Sequence, residues 1–467
     1  MTPLLLWLAC TASTGDDSAP TVATDSATLD SDPDSGSTSA SSCEPITGQG
    51  GQPALVEALP AGSNLLLVSI DTLRKDRVGR YSGLDTTPFL DAWLDQALVL
   101  DEHRSCSDWT APSMLCALTG TTPTEAGYEP HAGTDAVLID VPEDLDGLTG
   151  WLADGGWIPA IVTANAVVAE AQPARVDPRA IQLLDREPAE GIVDAGLAVL
   201  DSLRQAGSPW FLHLHFNDPH SPYDPPDAYL DGLEGLEACP IDLTDEAAIV
   251  AFASDPDSLS AEDQALVVAH TEVRYQGELT YLDDQLARLL QALQDRGVPD
   301  DTLIVLLSDH GEPFLEHGAY THGTTLHVEE VDAIAAVWAP GLSPGTWSGP
   351  TAHQDLTPTV LQALGLQSPS TVTAPVLGTA PADRARHGFR QYRDVPPLHV
   401  LTRGTQRLLY GWDGTRAFYE LATDPAELTD TYDADAAGVR CLWEHLDPWI
   451  ALAMPIMGDY APVDPHP

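Results

Sequence analysis

Lysine is almost missing from this chain. Of its 20 basic residues only Lys75 is a lysine, and they stand against 71 acidic residues, for a formal net charge of −51. A surface this negative repels polyanions, which excludes nucleic acid and anionic lipid surfaces as partners. It reads as a solvated acidic shell of the kind suited to a salty habitat. Cysteine is scarce as well, with six in 467 residues and no C-x-x-C pair. That pattern argues against a zinc-thiolate centre. One or two disulfides would fit an oxidising compartment, but their pairing cannot be read from spacing. The apolar stretch that opens the chain, residues 1–10, is too short to cross a bilayer. Apolar residues still make up 43% of the chain, an ordinary share for a globular protein. The length points to one large α/β domain with a smaller appendage.

The opening stretch ends in Leu8-Ala9-Cys10. It resembles the end of a bacterial lipoprotein signal peptide, in which Cys10 would become the lipidated first residue. There is no positive n-region, and Trp7 stands where leucine is usual. Residues 11–53 are rich in Ser, Thr, Asp, Gly and Pro, a composition that buries no core and reads as a flexible tether. The expectation is an exported protein of the bacterial cell envelope. It would meet the membrane through this lipid anchor only. A plain secretion signal is the alternative.

Strand and helix signals then alternate. Strands are expected at residues 65–70, 158–162, 210–216, 303–307 and 333–338. Helices are expected at 87–96, 110–118, 148–153, 191–206, 272–296 and 356–364. Residues 223–262 are acidic and Pro-rich and read as an irregular surface excursion. Such alternation predicts a large, mainly parallel sheet covered on both faces, a three-layer αβα sandwich. The end of the chain differs. Residues 399–403, 407–412 and 416–421 are short alternating strands with an Asp413-Gly414 turn, and 436–451 is a helix. A small antiparallel sheet with a covering helix is expected there.

The chemistry gathers at strand ends. Ser308-Asp-His-Gly-Glu312 follows one apolar run, so Asp309 and His310 would sit where open α/β sheets place their sites. A carboxylate beside an imidazole is a metal-ligand pair. Strand 65–70 ends in Asp71. Thr110 opens a helix in Trp109-Thr-Ala-Pro-Ser113, with Pro112 in its first turn. The histidine-rich strand runs into Asp218-Pro-His220. Each feature has a plainer reading. Asp71 or Thr110 would serve as a helix cap, and His213 and His215 as packing residues.

In chain order these pieces resemble the sulfatase-like hydrolases of the alkaline phosphatase superfamily. The resemblance runs from about Asn64 to about Asp433. It includes Asn64-Leu-Leu-Leu-Val-Ser-Ile-Asp71, Trp109-Thr-Ala-Pro-Ser113, Asn217-Asp-Pro-His220, Ser308-Asp-His-Gly-Glu312, Glu316-His-Gly318 and His322-Gly323. It implies an alkaline phosphatase-like fold and one divalent metal ion, Ca²⁺, Mg²⁺, Mn²⁺ or Zn²⁺. The implied metal ligands are Asp71, Asp309 and His310, with Thr110 as the metal-bound nucleophile. It places His220 and His322 where the family contacts the ester and protonates the leaving group. His131 and Asn165 are weaker candidates for lining the pocket. It implies a small-molecule, glycan or lipid ester substrate. With the opening stretch and the polar run read above, the expected layout is 1–10 signal, 11–53 tether, 54–385 catalytic domain and 386–467 small-sheet subdomain.

The departures shape the expectation. Sulfatases of the strict kind oxidise Cys or Ser at the nucleophile position to formylglycine, and Thr110 cannot follow that route. Met114 stands where the family has Arg, Thr121 where it often has Lys or Arg, and Thr72 replaces the second aspartate of an Asp-Asp pair. A pocket with less positive charge suits a phosphate diester. A sulfate ester hydrolase and a decayed, binding-only lipoprotein are the alternatives.

Overall fold

The computed structural model describes residues 43–44, 46, 59–127, 129–130, 139–142, 145–170, 172, 180–230, 232–233, 235–390, 395–455 and 462–463. Cys10 and His131 lie outside the described residues. Eight strands build the main sheet: β1 (Asn64–Ile70), β2 (Leu98–Leu100), β3 (Ile158–Thr163), β4 (Ile181–Leu183), β5 (Trp210–Phe216), β6 (Thr302–Ser308), β7 (Ala335–Trp338) and β8 (Gly345–Trp347). Their order is β8-β2-β7-β6-β1-β5-β3-β4. The strands from β6 to β4 run parallel, and β7 is antiparallel to both of its neighbours.

The central strands are apolar at successive residues because both faces are covered. Leu66, Val68 and Ile70 of β1 face one core, while Leu65 and Leu67 face the other. The first core is closed by helices α2 (Ala189–Ala206) and α3 (Ala261–Asp295), through Ile192, Leu200, Leu279 and Leu286. The second is closed by α1 (Thr110–Thr119) and α4 (Leu356–Ala363), through Leu118 and Leu361. This is the expected αβα sandwich. α3 begins 11 residues earlier than the spacing at 272 suggested, and runs for 35 residues. Its start signal is Ser260, whose hydroxyl accepts from the Asp263 backbone N–H. Val267, Thr271 and Tyr275 then carry the buried stripe forward. The 223–262 excursion is not wholly irregular, since Glu246–Ser254 is a helix capped by Asp245.

The C-terminal sheet has four antiparallel strands rather than three: β9 (Arg386–Arg390), β10 (Leu398–Arg403), β11 (Gln406–Gly411) and β12 (Arg416–Glu420). β9 escaped the apolar pattern because Arg386, His387 and Arg390 are buried polar residues. One face of the sheet packs Leu401, Leu408 and Phe418 under helix α5 (Ala436–Ala453). The other packs Leu398, Val400 and Leu409 on Leu326 and Val331 of the main domain. Cys43, within the stretch read as a tether, is disulfide-bonded to Cys441 of α5, and Cys106 is bonded to Cys116. No helix of the described residues is long and apolar enough to cross a membrane.

A buried ion pair fixes the small sheet to the large one. Arg407 of β11 is fully buried and meets Glu427 at 2.7 Å and Asp332 at 3.1 Å. The other Glu427 oxygen meets His327 Nδ1 at 2.5 Å. Burial alone would raise the Glu427 carboxyl, but Arg407 and His327 outweigh it and hold it below the usual carboxylate range. Removing one member leaves an uncompensated charge in the interior. Glu427→Ala should therefore destabilise the protein by roughly 3–5 kcal/mol in urea unfolding. A loss under ~1 kcal/mol would show that this pair does not hold the interface.

Candidate active site

Four adjacent parallel strands deliver the site residues from their C-terminal ends. β1 delivers Asp71, β6 delivers Asp309 and His310, β5 delivers Asn217 and His220, and β3 delivers Asn165. The strand ladders extend one residue further to fix two of them. Asp71 N–H donates to Phe216 C=O at 2.9 Å, and Asp309 N–H donates to Ile70 C=O at 3.2 Å. Gly311 is needed for close approach. A Cβ there would lie 1.9 Å from the Glu329 carbonyl oxygen.

Asp71, Asp309 and His310 are fully buried. Each carboxylate has one oxygen satisfied by the protein and one left bare. Asp71 Oδ2 accepts from Asn165 Nδ2 at 2.6 Å and from His215 Nε2 at 3.3 Å, while Oδ1 has no partner. Asp309 Oδ1 accepts from the backbone N–H groups of Thr72 at 3.1 Å and His310 at 2.7 Å, while Oδ2 has no partner. His310 Nδ1 faces the Gly311 carbonyl at 2.9 Å. A carbonyl only accepts, so Nδ1 carries the proton and Nε2 offers a lone pair. That nitrogen stands 3.6 Å from Asp71 Oδ1 and 3.5 Å from Asp309 Oδ2. Three ligand-type atoms, Asp71 Oδ1, Asp309 Oδ2 and His310 Nε2, thus converge.

The electrostatics match the geometry. Burial pushes His310 well below the usual imidazole range, which keeps it neutral. Burial alone would raise Asp71, but His220 and the hydrogen bond from His215 outweigh it and hold the carboxyl below the usual range. Asp309 is pushed up by burial and then by the charge of Asp71. A divalent cation relieves all three conditions, and this donor set suits one. His215, read from the strand pattern as a packing residue, is packed. It also forms part of a relay, since Ser69 Oγ bridges His213 Nε2 and His215 Nδ1 at 2.7 Å each.

Thr110 Oγ1 lies 3.3 Å from His310 Nε2 and 3.5 Å from Asp71 Oδ2. It is the first residue of α1, and the N-cap Trp109 gives no side-chain cap bond. The first-turn N–H groups of that helix favour an anion. Thr110, Asn165, Asn217, His220, His322 and Arg186 line a cavity of about 250 Å³. The rings of His220 and His322 are 4.9 Å apart, and those of His310 and His322 are 4.6 Å apart. His322 receives its charge from Glu312, a residue the sequence reading did not single out. Glu312 Oε1 accepts from both His322 N–H and Nδ1 at 3.0 Å. Burial alone would lower His322, but Glu312 and Asp71 raise it to about 9.

The lysine-poor composition holds at the site. Lys75 donates to the Asp101 carbonyl, and Met114 packs into the core beneath α1. Thr121 donates to Glu125 at 3.2 Å. Non-glycine residues with positive φ cluster nearby, including Thr72 at 50°, Arg186 at 56° and Thr321 at 65°. Such strain persists where surrounding structure over-determines it, as at functional sites. Another group of ligand-type residues, His317, His327 and Glu427, does not form a metal centre. Its two rings are stacked at 3.6 Å and 5°. In-plane lone pairs of parallel rings cannot converge on one ion.

The orphaned oxygens generate a test. In metal-free protein, Asp309→Asn should raise stability by at least about 1 kcal/mol, since it removes one of two buried acids in contact. With a divalent cation present the order should reverse, and elemental analysis should find no metal in the variant. Equal metal content in variant and wild type would show that the site is misassigned.

With this geometry in view, the comparisons with known proteins are consistent. The model of the sulfatase family matches residues 63–366, a span that holds Asp71, Thr110, His220, Asp309, His310 and His322. Choline-sulfatase of Rhizobium meliloti is 27% identical over 240 residues, 48% of this chain and 46% of that protein. Arylsulfatase of Clostridium perfringens is 24% identical over 247 residues, 50% of this chain and 51% of that protein. The matched segment is thus about half the length of these curated relatives. Among solved structures, BT4656 with its substrate D-glucosamine-2-N,6-O-disulfate has a TM-score of 0.66, covering 86% of this chain and 99% of that one at 16% identity. Phosphonate monoester hydrolase SpPMH from Silicibacter pomeroyi has a TM-score of 0.65, covering 85% and 96% at 19% identity. These structural likenesses establish the shared fold, and the family match establishes descent: the chain belongs to the sulfatase family of alkaline phosphatase-like hydrolases.

Proposed function

We propose that this protein is a metal-dependent hydrolase or transferase of phosphate diesters, with Thr110 as a direct nucleophile. The observation that carries the reading is the Thr110 hydroxyl, within 3.5 Å of Asp71 and His310 at the uncapped N-terminus of α1. Threonine keeps a hydroxyl nucleophile and cannot yield an aldehyde by oxidation of a primary CH₂OH or CH₂SH group. A divalent cation held by Asp71, Asp309 and His310 would supply the positive charge that stabilises the attacking oxygen and the transferring group.

The remaining steps belong to this chain's residues. Thr110 Oγ forms a bond to phosphorus while the bond to the leaving alcohol breaks, and the hydroxyl proton passes to water in the open cavity. His322, cationic beside Glu312, gives its proton to the departing oxygen. In the second half, water attacks phosphorus, neutral His322 takes its proton, and the bond to Thr110 breaks while its oxygen takes a proton back from water in the cavity to restore the hydroxyl. Asn165 and His215 hold Asp71 in place through both halves.

A second reading, hydrolysis of sulfate esters, is favoured by the names of the relatives, a choline-sulfatase and an arylsulfatase. The discriminating measurement is kcat/KM for a diester and a sulfate ester of one leaving group, with several divalent metals. The diester should be faster and leave a phospho-Thr110 intermediate. Thr110→Ala should lower the rate by roughly 10³-fold or more, whereas Thr110→Ser should retain part of it. A clear sulfate preference would sink the diester reading, and no turnover of either ester despite bound metal would leave a binding protein.

We also place the folded domain outside the cytoplasm, held by lipid at Cys10. The Cys43–Cys441 bond supports an oxidising compartment. In a bacterial host, Cys10→Ser should move the protein from the membrane fraction to the soluble fraction. Unchanged fractionation would remove the anchor from this reading.

A further inference from the structure

A second and larger cavity, of about 630 Å³, opens beside the first. The two share Arg186, Asn217 and His220 as lining residues. His220 therefore stands at the passage between them. An ester whose reacting group lies against Thr110 would extend its alcohol portion into the larger space.

That space is acidic. Glu187, Glu190, Asp194, Asp218, Asp224 and Glu278 line it, and Arg186 is the one arginine or lysine among its described lining residues. Arg186 is engaged elsewhere, with Glu246 at 2.8 Å. Asp194 has Arg288 at 2.5 Å, and Asp224 has Arg274 at 3.9 Å. Asp218 and Glu278 form no such ion pair among the described residues. Asp218 uses Oδ1 to accept the Ala189 N–H at 2.8 Å, while its buried Oδ2 has no partner. Glu278, on α3, is only 5% exposed and accepts the Asp224 N–H at 2.9 Å. Burial and the neighbouring Asp218 carboxyl push Glu278 up to about 9, and burial pushes Asp218 up to about 7. Two buried carboxyls thus line one cavity, neither in an ion pair among the described residues, and a cationic guest would draw off their protons. Tyr281 lines the same wall, with the Tyr229 ring edge-on at 5.4 Å. An aromatic ring beside buried carboxyls is the environment in which an ammonium group is held.

We propose that the alcohol portion of the substrate carries an ammonium group, bound in this cavity by Asp218, Glu278 and Tyr281. The inference rests on the ester-cleaving function proposed above and names its substrate class. It also gives the acidic wall a role that a solvated surface does not require. Buried carboxyls outside any ion pair disfavour a neutral guest by leaving polar atoms unpaired, so they select as well as attract.

The test uses the full chain with its divalent metal and two isosteric esters, of 3-(trimethylammonio)phenol and of 3-tert-butylphenol. The ratio of their kcat/KM values cancels most leaving-group effects when wild type is compared with a variant. The ratio should fall about tenfold in Glu278→Gln and again in Asp218→Asn, which keeps the acceptor for Ala189. An unchanged ratio in both variants, with the neutral ester still cleaved, would overturn the inference and leave the proposed function standing. If neither ester is cleaved, the proposed function fails and binding decides. Calorimetry with phenyltrimethylammonium should show a Kd that rises about tenfold in Glu278→Gln. Equal affinity, no binding, or displacement of the probe by millimolar Ca²⁺ at these residues would overturn it as well.

Discussion

Two buried carboxyl groups and an unprotonated imidazole nitrogen converge at one point, where only a proton or a cation among them relieves the repulsion. Much of the site follows from that requirement. Asp71 and Asp309 end adjacent parallel strands, so the sheet brings like charges together where water cannot screen them. The surroundings tie down one oxygen of each, through Asn165 and His215 on one side and through two backbone N–H groups on the other. The remaining oxygens are left aimed at His310. Gly311 lets the Glu329 carbonyl pass against the chain just beyond the ligands, and strained residues such as Thr72 are held by the same packing.

The near absence of lysine is compensated within the site by a relay of charge. Glu312 is fully buried, yet its carboxylate is matched to the ring and backbone of His322. A histidine on such a partner is a cation at neutral pH, and it sits where it can still release a proton. A lysine would give the first property more readily than the second. The rest of the fold treats charge in the same way. Arg407, Glu427, Asp332 and His327 satisfy one another where the small sheet meets the large one.

The central strands and their terminal residues were legible because both physical signals are local. A strand buried on two faces is continuously apolar, and an aspartate directly after it stands out. Asp71, Asp309 and His310 meet in one place on that basis, and Thr110, His220 and His322, whose roles the resemblance implied, lie beside them. Asn165, a weaker candidate, proves to bond directly to Asp71. Arg186 was not legible, because its place at the cavity depends on residues distant in sequence, and nothing in the spacing of Glu312 to His322 marks them as a pair. His215 is both a packed strand residue and a hydrogen-bond donor, and alternation shows only the first. The first turns of α3 were hidden because residues 261–271 mix polar and apolar side chains, although Ser260 and Asp263 marked the start. β9 was hidden because arginines and a histidine make its buried face.

The bond between Cys43 and Cys441 also sets a mechanical property. It spans a sequence separation of 398 residues, and with the intervening chain it closes a covalent ring around the whole catalytic sheet. Tension on the chain ahead of Cys43 would enter the fold at α5 and spread through the small sheet. β1, which carries Asp71, would feel little of it. The strand that begins the active site is therefore insulated from forces on the segment that precedes it.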